Sequence, residues 1–303
     1  MQSARRAGVA GLAGWAADDH AAALAAYRRT EDLLSPDWPR YAGEDPRAFF
    51  ERRFRLAGPR PVLLTGYYEP EVDAAEAEDA AFRHPVYAAP PDLPAEEPWL
   101  TRAEIEDGAR LAGRELIWLA SAIEAFLAQV QGSFRVRLPD GRIRRFGFAA
   151  RNGHPYRSIG AELIARGAIP AAAMSAQAIR VWCDRHPDEV SGLLRSNPSF
   201  VFFRPLDLPD ESGPPGAMGR PVTAMRSLAV DPSVVPLGAP VWTCTNGEGR
   251  LTVAQDTGSA ITGPGRADLF CGSGDAAGES AGRMRLDAVL TPLLPRAAQR
   301  GAT

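Results

Sequence analysis

The strongest constraint on the fold is a change of texture along the chain, with strand-like stretches at both ends and a helical middle. "RPVLLTGYYEPEV", Arg60 to Val72, gathers β-branched and aromatic residues and ends just after a proline, so it reads as a strand entering a polar turn. "SFVFFRPL" at 199–206 restores that character. After Arg220 the chain is short apolar runs punctuated by glycine and proline. A β domain interrupted by an inserted mixed α/β domain accounts for this order, with a cleft between them as the natural ligand site.

The expected boundaries place residues 1–84 and 200–303 in the β domain, with N-terminal helices, and 85–199 in the insert; Asp73 to Pro98, acidic and rich in alanine and proline, is the boundary signal. A first helix is expected from about Asp18 to Leu34, with Ala21, Leu24 and Tyr27 on one face. A second starts at Asp45, with Pro46 in its first turn. Thr101 and Glu104 have capping-box spacing, and "ELIWLASAIEAFLAQVQ" reads as a continuing helix with a long apolar face. "FRVRLPDGRIRRFGFAA" alternates on both sides of Pro139-Asp140-Gly141, which predicts a hairpin. Helices follow from Ile159 to about Leu194, while the last segment, "LDAVLTPLLPRAAQ", makes a weak final strand.

Composition narrows the function. At 303 residues, 45% hydrophobic and 23% charged, the chain is globular, with no apolar run of membrane-spanning length. A net charge of −3 provides no cationic footprint for nucleic acid. The three cysteines, Cys183, Cys244 and Cys271, form no C-x-x-C pair, which argues against a zinc site. The N-terminal "MQSARRAGVAGLAGWAADDH" is too weakly apolar for a secretory leader.

"AQDTGSAITGPGRADLFC", Ala254 to Cys271, carries the chemistry. Its "DTGS" suggests an aspartic protease, but that reaction needs two carboxylates sharing one proton, and a second DTG element is missing. Asp256, Asp268 and Asp275 are close enough in sequence to suggest metal binding, yet no histidine is near and the spacing does not fit a calcium loop. Aspartates in glycine-rich turns often do no more than bond their own backbone.

"PVTAMRSLAVDPSVVPLGAPVW" followed by "LTVAQDTGSAITGPGRADLF" resembles the three-aspartate domain of bacterial cell-wall enzymes, its aspartates being Asp231, Asp256 and Asp268. With "LTGYYEPEV", "AQVQGS", "RNGHPYRSIG", "MSAQAIRVW", "NPSFVFF" and "GSGDAAGESAG", the chain is similar to the membrane-bound lytic murein transglycosylase A family from about Leu12 to Met284. The resemblance implies a six-stranded double-psi β-barrel interrupted by a mixed α/β domain, with a large groove between them. It also implies a lytic transglycosylase that cuts peptidoglycan glycan strands between N-acetylmuramic acid and N-acetylglucosamine without cofactor or metal. A non-catalytic polysaccharide-binding module on the same barrel is the alternative.

By position, Asp268 matches the family's catalytic acid, with Asp256 as a supporting charge, while Asp231 is a candidate either to cap a turn or to touch sugar. The matching motifs make Thr65, Gly66, Tyr67 and Tyr68 candidates for one groove wall. Gln131, Asn152, Gly153, His154, Tyr156 and Ser158 are candidates for the other, His154 as a hydrogen-bonding rather than a basic group. The glycine-rich "GSGDAAGESAG" is expected as a loop whose backbone approaches the sugar. Two departures stand out: Phe134 where the family commonly has glycine, and Arg266-Ala267 where many relatives have an aromatic or aliphatic pair. Family membership also implies a periplasmic or outer-membrane location, although no cysteine precedes Cys183 to serve as a lipid anchor. No nucleic-acid partner is expected, and a monomer is the expected state.

Overall fold

The computed structural model describes residues 8–296, so the first seven residues of the N-terminal stretch and the tail after Arg296 lie outside the described residues. In chain order the strands are β1 (Phe54–Leu56), β2 (Arg60–Glu69), β3 (Glu71–Ala75), β4 (His84–Tyr87), β5 (Glu115–Leu119), β6 (Ser133–Arg137), β7 (Ile143–Arg151), β8 (Val201–Leu206), β9 (Ser227–Ala229), β10 (Pro240–Thr245), β11 (Glu248–Asp256), β12 (Arg266–Ser273) and β13 (Arg285–Pro295). The helices are α1 (His20–Arg28), α2 (Pro46–Arg53), α3 (Arg102–Asp107), α4 (Ala122–Gln131), α5 (Ile159–Ala165), α6 (Ala176–Arg185), α7 (Pro187–Arg195) and α8 (Asp275–Arg283). Among the described residues no helix is long and apolar enough to cross a membrane.

The chain forms two compact units. The first comprises residues up to Tyr67, Glu211–Gly272, and Met284 onward; the second comprises Tyr68–Asp210 and Ser273–Arg283. The boundaries expected at 84/85 and 199/200 both fall inside the second unit, because β3, β4 and β8 are paired in its sheet. The change of unit occurs within β2, between two consecutive tyrosines.

In the first unit six strands close on themselves in the order β13-β10-β11-β9-β12-β2, with β2 pairing back to β13, and β1 extends the sheet at β13. Closure removes the exposed strand edges that an open sheet would present. Val62, Leu64, Leu228, Val241, Ala254, Ala267, Leu269 and Leu290 belong to one buried cluster of this barrel. β13 is not weak: its eleven residues are the longest strand and pair with β1, β2 and β10.

The N-terminal helices pack on the barrel through a second cluster, in which Leu24, Tyr27, Phe49, Phe50 and Phe54 meet Trp242, Leu251 and Leu293. Asp19 and Asp45 cap the two helices, accepting from the backbone amides of Ala22 and Ala48 at 2.9 Å each. α1 ends at Arg28, not near Leu34, because Gln255 of β11 donates to the Ala26 carbonyl at 2.8 Å and to Thr30 Oγ1 at 2.9 Å, tying the last turn to the barrel. The expected apolar face is also rotated, since Ala23 and Ala26 are buried while Ala21 is exposed.

The second unit is a six-stranded sheet, β4-β5-β3-β6-β7-β8, with helices packed on it. The hairpin is present: β6 and β7 pair antiparallel, Gly141 has φ of 85°, and the Leu138 amide donates to the Arg142 carbonyl at 2.9 Å. The Thr101–Glu104 capping box is present too. "ELIWL", however, is strand β5, not helix. Ile117 and Leu119 alternate into the core, and β5 pairs with β3 on one side and β4 on the other. Likewise, the stretch 73–98 marks no boundary, because the end of β3 and all of β4 lie in it and both flanks belong to the second unit. Phe134, a departure from the family pattern, is fully buried and stacks on Phe146 at 5.2 Å between ring centroids. The barrel and the separate α/β unit meet the mainly β fold class expected from the sequence.

Candidate active site

Three neighbouring barrel strands carry the two carboxylates in one row. Asp256 on β11 and Asp268 on β12 are both paired with Ala229 of β9, which lies between them. Two strand spacings separate their Cα atoms by about 10 Å. The β9–β11 pairing shifts register between Ala254 and Asp256, just before β11 ends.

β2 supplies the partners. Thr65 and Tyr67 are two residues apart and share one face of the strand. The Thr65 hydroxyl donates to Asp268 Oδ1, while the Tyr67 hydroxyl donates to Asp256 Oδ2 at 2.7 Å. Gly66 lies between them in the strand, and the Tyr67 ring rests on Phe270 at 5.2 Å. Asp256 Oδ1 also accepts from the amides of Ala217 and Thr257, each at 2.9 Å.

Burial pushes both carboxyls above the ordinary carboxylate range. For Asp256 the three donors oppose that rise. For Asp268 the Thr65 bond and the Arg266 cation oppose it, while the Asp256 charge adds to it. The Tyr67 phenol is pushed far up by its burial and by the Asp256 charge, so it remains a donor. The arrangement offers two carboxyls that burial inclines to hold a proton, Asp256 beside three hydrogen-bond donors and Asp268 beside a hydroxyl and a cation. That is the equipment of acid–base chemistry.

The third aspartate has a different occupation. Asp231 accepts from the Ser233 amide and hydroxyl at 2.9 and 2.6 Å and from the Gly263 amide at 2.6 Å, which holds its carboxyl below the ordinary range. It joins the turn after β9 to the loop before β12, as the turn-cap reading expected.

In the second unit, the Tyr68 amide donates to Gln131 Oε1 at 3.2 Å and its hydroxyl accepts from Arg180 at 3.4 Å. Glu124 holds Arg180 at 2.6 Å. The segment 152–158 is tied to its own unit. Asn152 is 1% exposed; its amide nitrogen donates to the Leu100 and Pro198 carbonyls at 2.8 Å each, and its oxygen accepts from the Phe200 amide at 2.8 Å. Gly153 has φ of 81°, and a Cβ there would lie 3.0 Å from Pro98 Cα. His154 Nε2 bonds the Trp99 carbonyl at 2.7 Å, Ser158 caps α5 through the Ala161 amide, and Tyr156 packs against the helical cluster. Asn152 and Ser158 thus have structural work that their motif did not reveal.

"GSGDAAGESAG" is not a loop: most of it is helix α8. Its Gly278 has a packing reason, since a Cβ there would meet the Tyr68 ring at 2.7 Å. Two further features escaped the sequence reading. Gly216 lets the backbone reach the site: a Cβ would lie 2.6 Å from the Gln255 carbonyl and 3.3 Å from Asp256 Cγ, next to the amide that Ala217 offers Asp256. The signal was the glycine-rich "SGPPGAMG". Glu69, at 0% exposure, collects Arg135 at 2.7 Å, Arg145 at 3.0 Å and the Ser273 hydroxyl at 2.8 Å. Its partners are 66 to 204 residues away in sequence, which no local pattern reveals.

The chain is similar to known proteins over most of its length. Residues 63–204 match the family model described as the MltA specific insert domain, and residues 226–293 match the 3D domain. A membrane-bound lytic murein transglycosylase structure from Agrobacterium tumefaciens is 32% identical, with TM-score 0.82, covering 96% of this chain and 97% of that one. The structure of Escherichia coli MltA with bound chitohexaose is 30% identical, with TM-score 0.77 and coverage of 91% and 90%. Membrane-bound lytic murein transglycosylase A of Escherichia coli K12 is 38% identical over 237 residues, 73% of this chain and 62% of the relative, so the match spans less than two thirds of that relative's length. Identity of this level over nearly the whole of a solved relative, with both domains matched in order, places the chain in the membrane-bound lytic murein transglycosylase A family.

Proposed function

We propose that this chain is a peptidoglycan lytic transglycosylase, acting as a monomer, with Asp268 as its single acid/base. The observation that carries the reading is the Asp268 carboxyl, kept above the ordinary range by burial and by Asp256 in the adjoining row of strands. In the first step the Asp268 proton passes to the oxygen linking N-acetylmuramic acid to N-acetylglucosamine, and the C1–O bond breaks through an oxocarbenium-like state. In the second step the Asp268 carboxylate takes the proton of the muramic acid C6 hydroxyl, whose oxygen closes on C1. The product is a 1,6-anhydro end, no water is consumed, and Asp268 is protonated again.

Asp256 supports this cycle by its charge, held in place by Tyr67, Ala217 and Thr257. Thr65, Gly66 and Tyr67 on the barrel, and Tyr68, Gln131 and the 152–158 segment on the second unit, are the proposed sugar contacts. With the Asn152 side chain fully engaged inside its unit, that contact falls to the exposed neighbours Gly153 and Ser158 and the half-buried His154. The substrate places the protein in the periplasm or at the outer membrane, in keeping with relatives named as membrane-bound.

The test is mass spectrometry of purified sacculi digested by the wild type and by Asp268→Asn. Products ending in 1,6-anhydromuramic acid, lighter by one water than hydrolysed ends and absent with the variant, are expected. Wild-type activity should be highest at mildly acidic pH, because Asp268 must hold its proton before the first step. Sacculi that bind the wild type but stay intact would replace this reading with the polysaccharide-binding module.

A further inference from the structure

Arg266 lies two residues before Asp268 on β12 and therefore on the same side of the strand. Its Nη2 donates to Thr65 Oγ1 at 3.3 Å, and the Thr65 hydroxyl donates to Asp268 Oδ1. A guanidinium has only donors, so a hydroxyl that faces one must use a lone pair there and point its single proton elsewhere. Here that proton points at Asp268. A carboxyl oxygen that receives a proton from Thr65 is poorly placed to carry its own, which leaves Oδ2 as the protonated oxygen of the acid form.

We propose that Arg266 is a positioning residue for this reaction. By bonding Thr65 it fixes the threonine proton on Asp268 Oδ1 and makes Oδ2 the oxygen that delivers and recovers the catalytic proton. The reaction role rests on the transglycosylase reading; the Arg266–Thr65–Asp268 relay stands on geometry alone. The same cation favours the ionised form of Asp268 and so limits how far burial raises it.

The other groups around Asp268 do not duplicate this role. Asp256 on β11 is of opposite sign to Arg266, and Tyr67 on β2 spends its proton on Asp256. Ala229 on β9 has no charge. Arg285 on β13 is opposite Thr65 in register but exposed to solvent. Cys271 on β12 is buried, and its thiol faces the Leu269 carbonyl at 3.5 Å. Among the described residues Arg266 Nε is buried with no acceptor, so the Thr65 bond is what orients the guanidinium at this site.

The experiment follows the titration of the Asp268 carboxyl by 13C NMR in the wild type, Arg266→Leu, Arg266→Lys and Thr65→Val, together with the pH profile of turnover on sacculi. Loss of the cation should raise the Asp268 midpoint by about one pH unit. The alkaline limb of activity should move up with it, since the acid then keeps its proton to higher pH. Arg266→Lys should restore most of the midpoint. Thr65→Val, which removes the relay and keeps the shape, should raise the midpoint and lower kcat about tenfold through the freed carboxyl. A midpoint and kcat unchanged in Thr65→Val would overturn the proposal whether or not Arg266→Leu shifts, since the cation also acts on Asp268 by charge alone. Because the titration needs no turnover, wild-type protein that makes no anhydro ends would sink the functional reading and still leave the relay to be decided.

Discussion

At Asp268 opposing influences meet within a few ångströms. Burial and Asp256 favour the proton, while Thr65 and Arg266 favour its loss. The sign of each neighbour is therefore readable in the pH profile. Asp256→Asn removes a negative charge that raises Asp268, so the acid form should be lost at lower pH and the alkaline limb should move down by about half a unit. That is the reverse of the shift expected for Arg266→Leu, and an upward move in the Asp256 variant would mean that Asp256 acts otherwise than as a charge. The Asn oxygen can still accept from the Ala217 and Thr257 amides while its nitrogen donates to the Tyr67 hydroxyl oxygen, which keeps the geometry comparable. The "DTG" and "RADLF" motifs made both acids legible in the sequence, and the turn after Asp231 made its structural role legible too. The partners were harder to see. Thr65 and Tyr67 belong to a motif that suggested sugar contacts, and only the placement of β2 beside the aspartates shows their hydroxyls committed to carboxylates.

Among the elements, β2 has the most demanding task, since its first eight residues complete the barrel and its last two begin the second unit. Glu69, the final residue, anchors that second role. Its carboxylate is enclosed by Arg135 of β6 and Arg145 of β7, and its carbonyl accepts from Gly274 at 2.9 Å. Glu69→Gln keeps the shape but leaves two nearly buried guanidinium groups without their anion, which should cost about 3 kcal/mol. Urea unfolding followed by a probe in the second unit measures this; a loss below about 1 kcal/mol would mean that the arginines' other partners carry the load. Such long-range pairing is absent from any local pattern. Short apolar runs are ambiguous for a related reason: "ELIWL" fits a helix or a strand by composition, and its pairing with β3 and β4 decides the matter. α8 was hidden by its glycines, which weaken helix propensity and here admit the Tyr68 ring. The hairpin, the capping box, the helix start at Asp45 and, to within one residue of the expected Asp18, the start at Asp19 were legible because each depends on residues a few positions apart.

For the whole molecule, the order of strand-rich and helical stretches announced an interrupted β fold, yet the unit boundaries stayed hidden. A strand that continues from one unit into the next shows no break in composition, and a return as short as 273–283 shows none either. That return makes the second unit discontinuous, so residues 68–210 alone lack part of their own structure. Missing would be the Ser273 hydroxyl and the Gly274 amide, which bond Glu69 at 2.8 and 2.9 Å, and Gly278 against Tyr68. A polypeptide of residues 68–210 should accordingly unfold at lower urea than one in which 273–283 follows Asp210 through a flexible glycine–serine linker. The linker makes the docking intramolecular, so its entropic cost grows only slowly with length. Replacing Gly278 with valine in the linked version should abolish most of the gain, because the added side chain meets the tyrosine ring. If the linked and unlinked polypeptides unfolded together, α8 would contribute nothing to the second unit, and Glu69 would be balanced by its arginines alone.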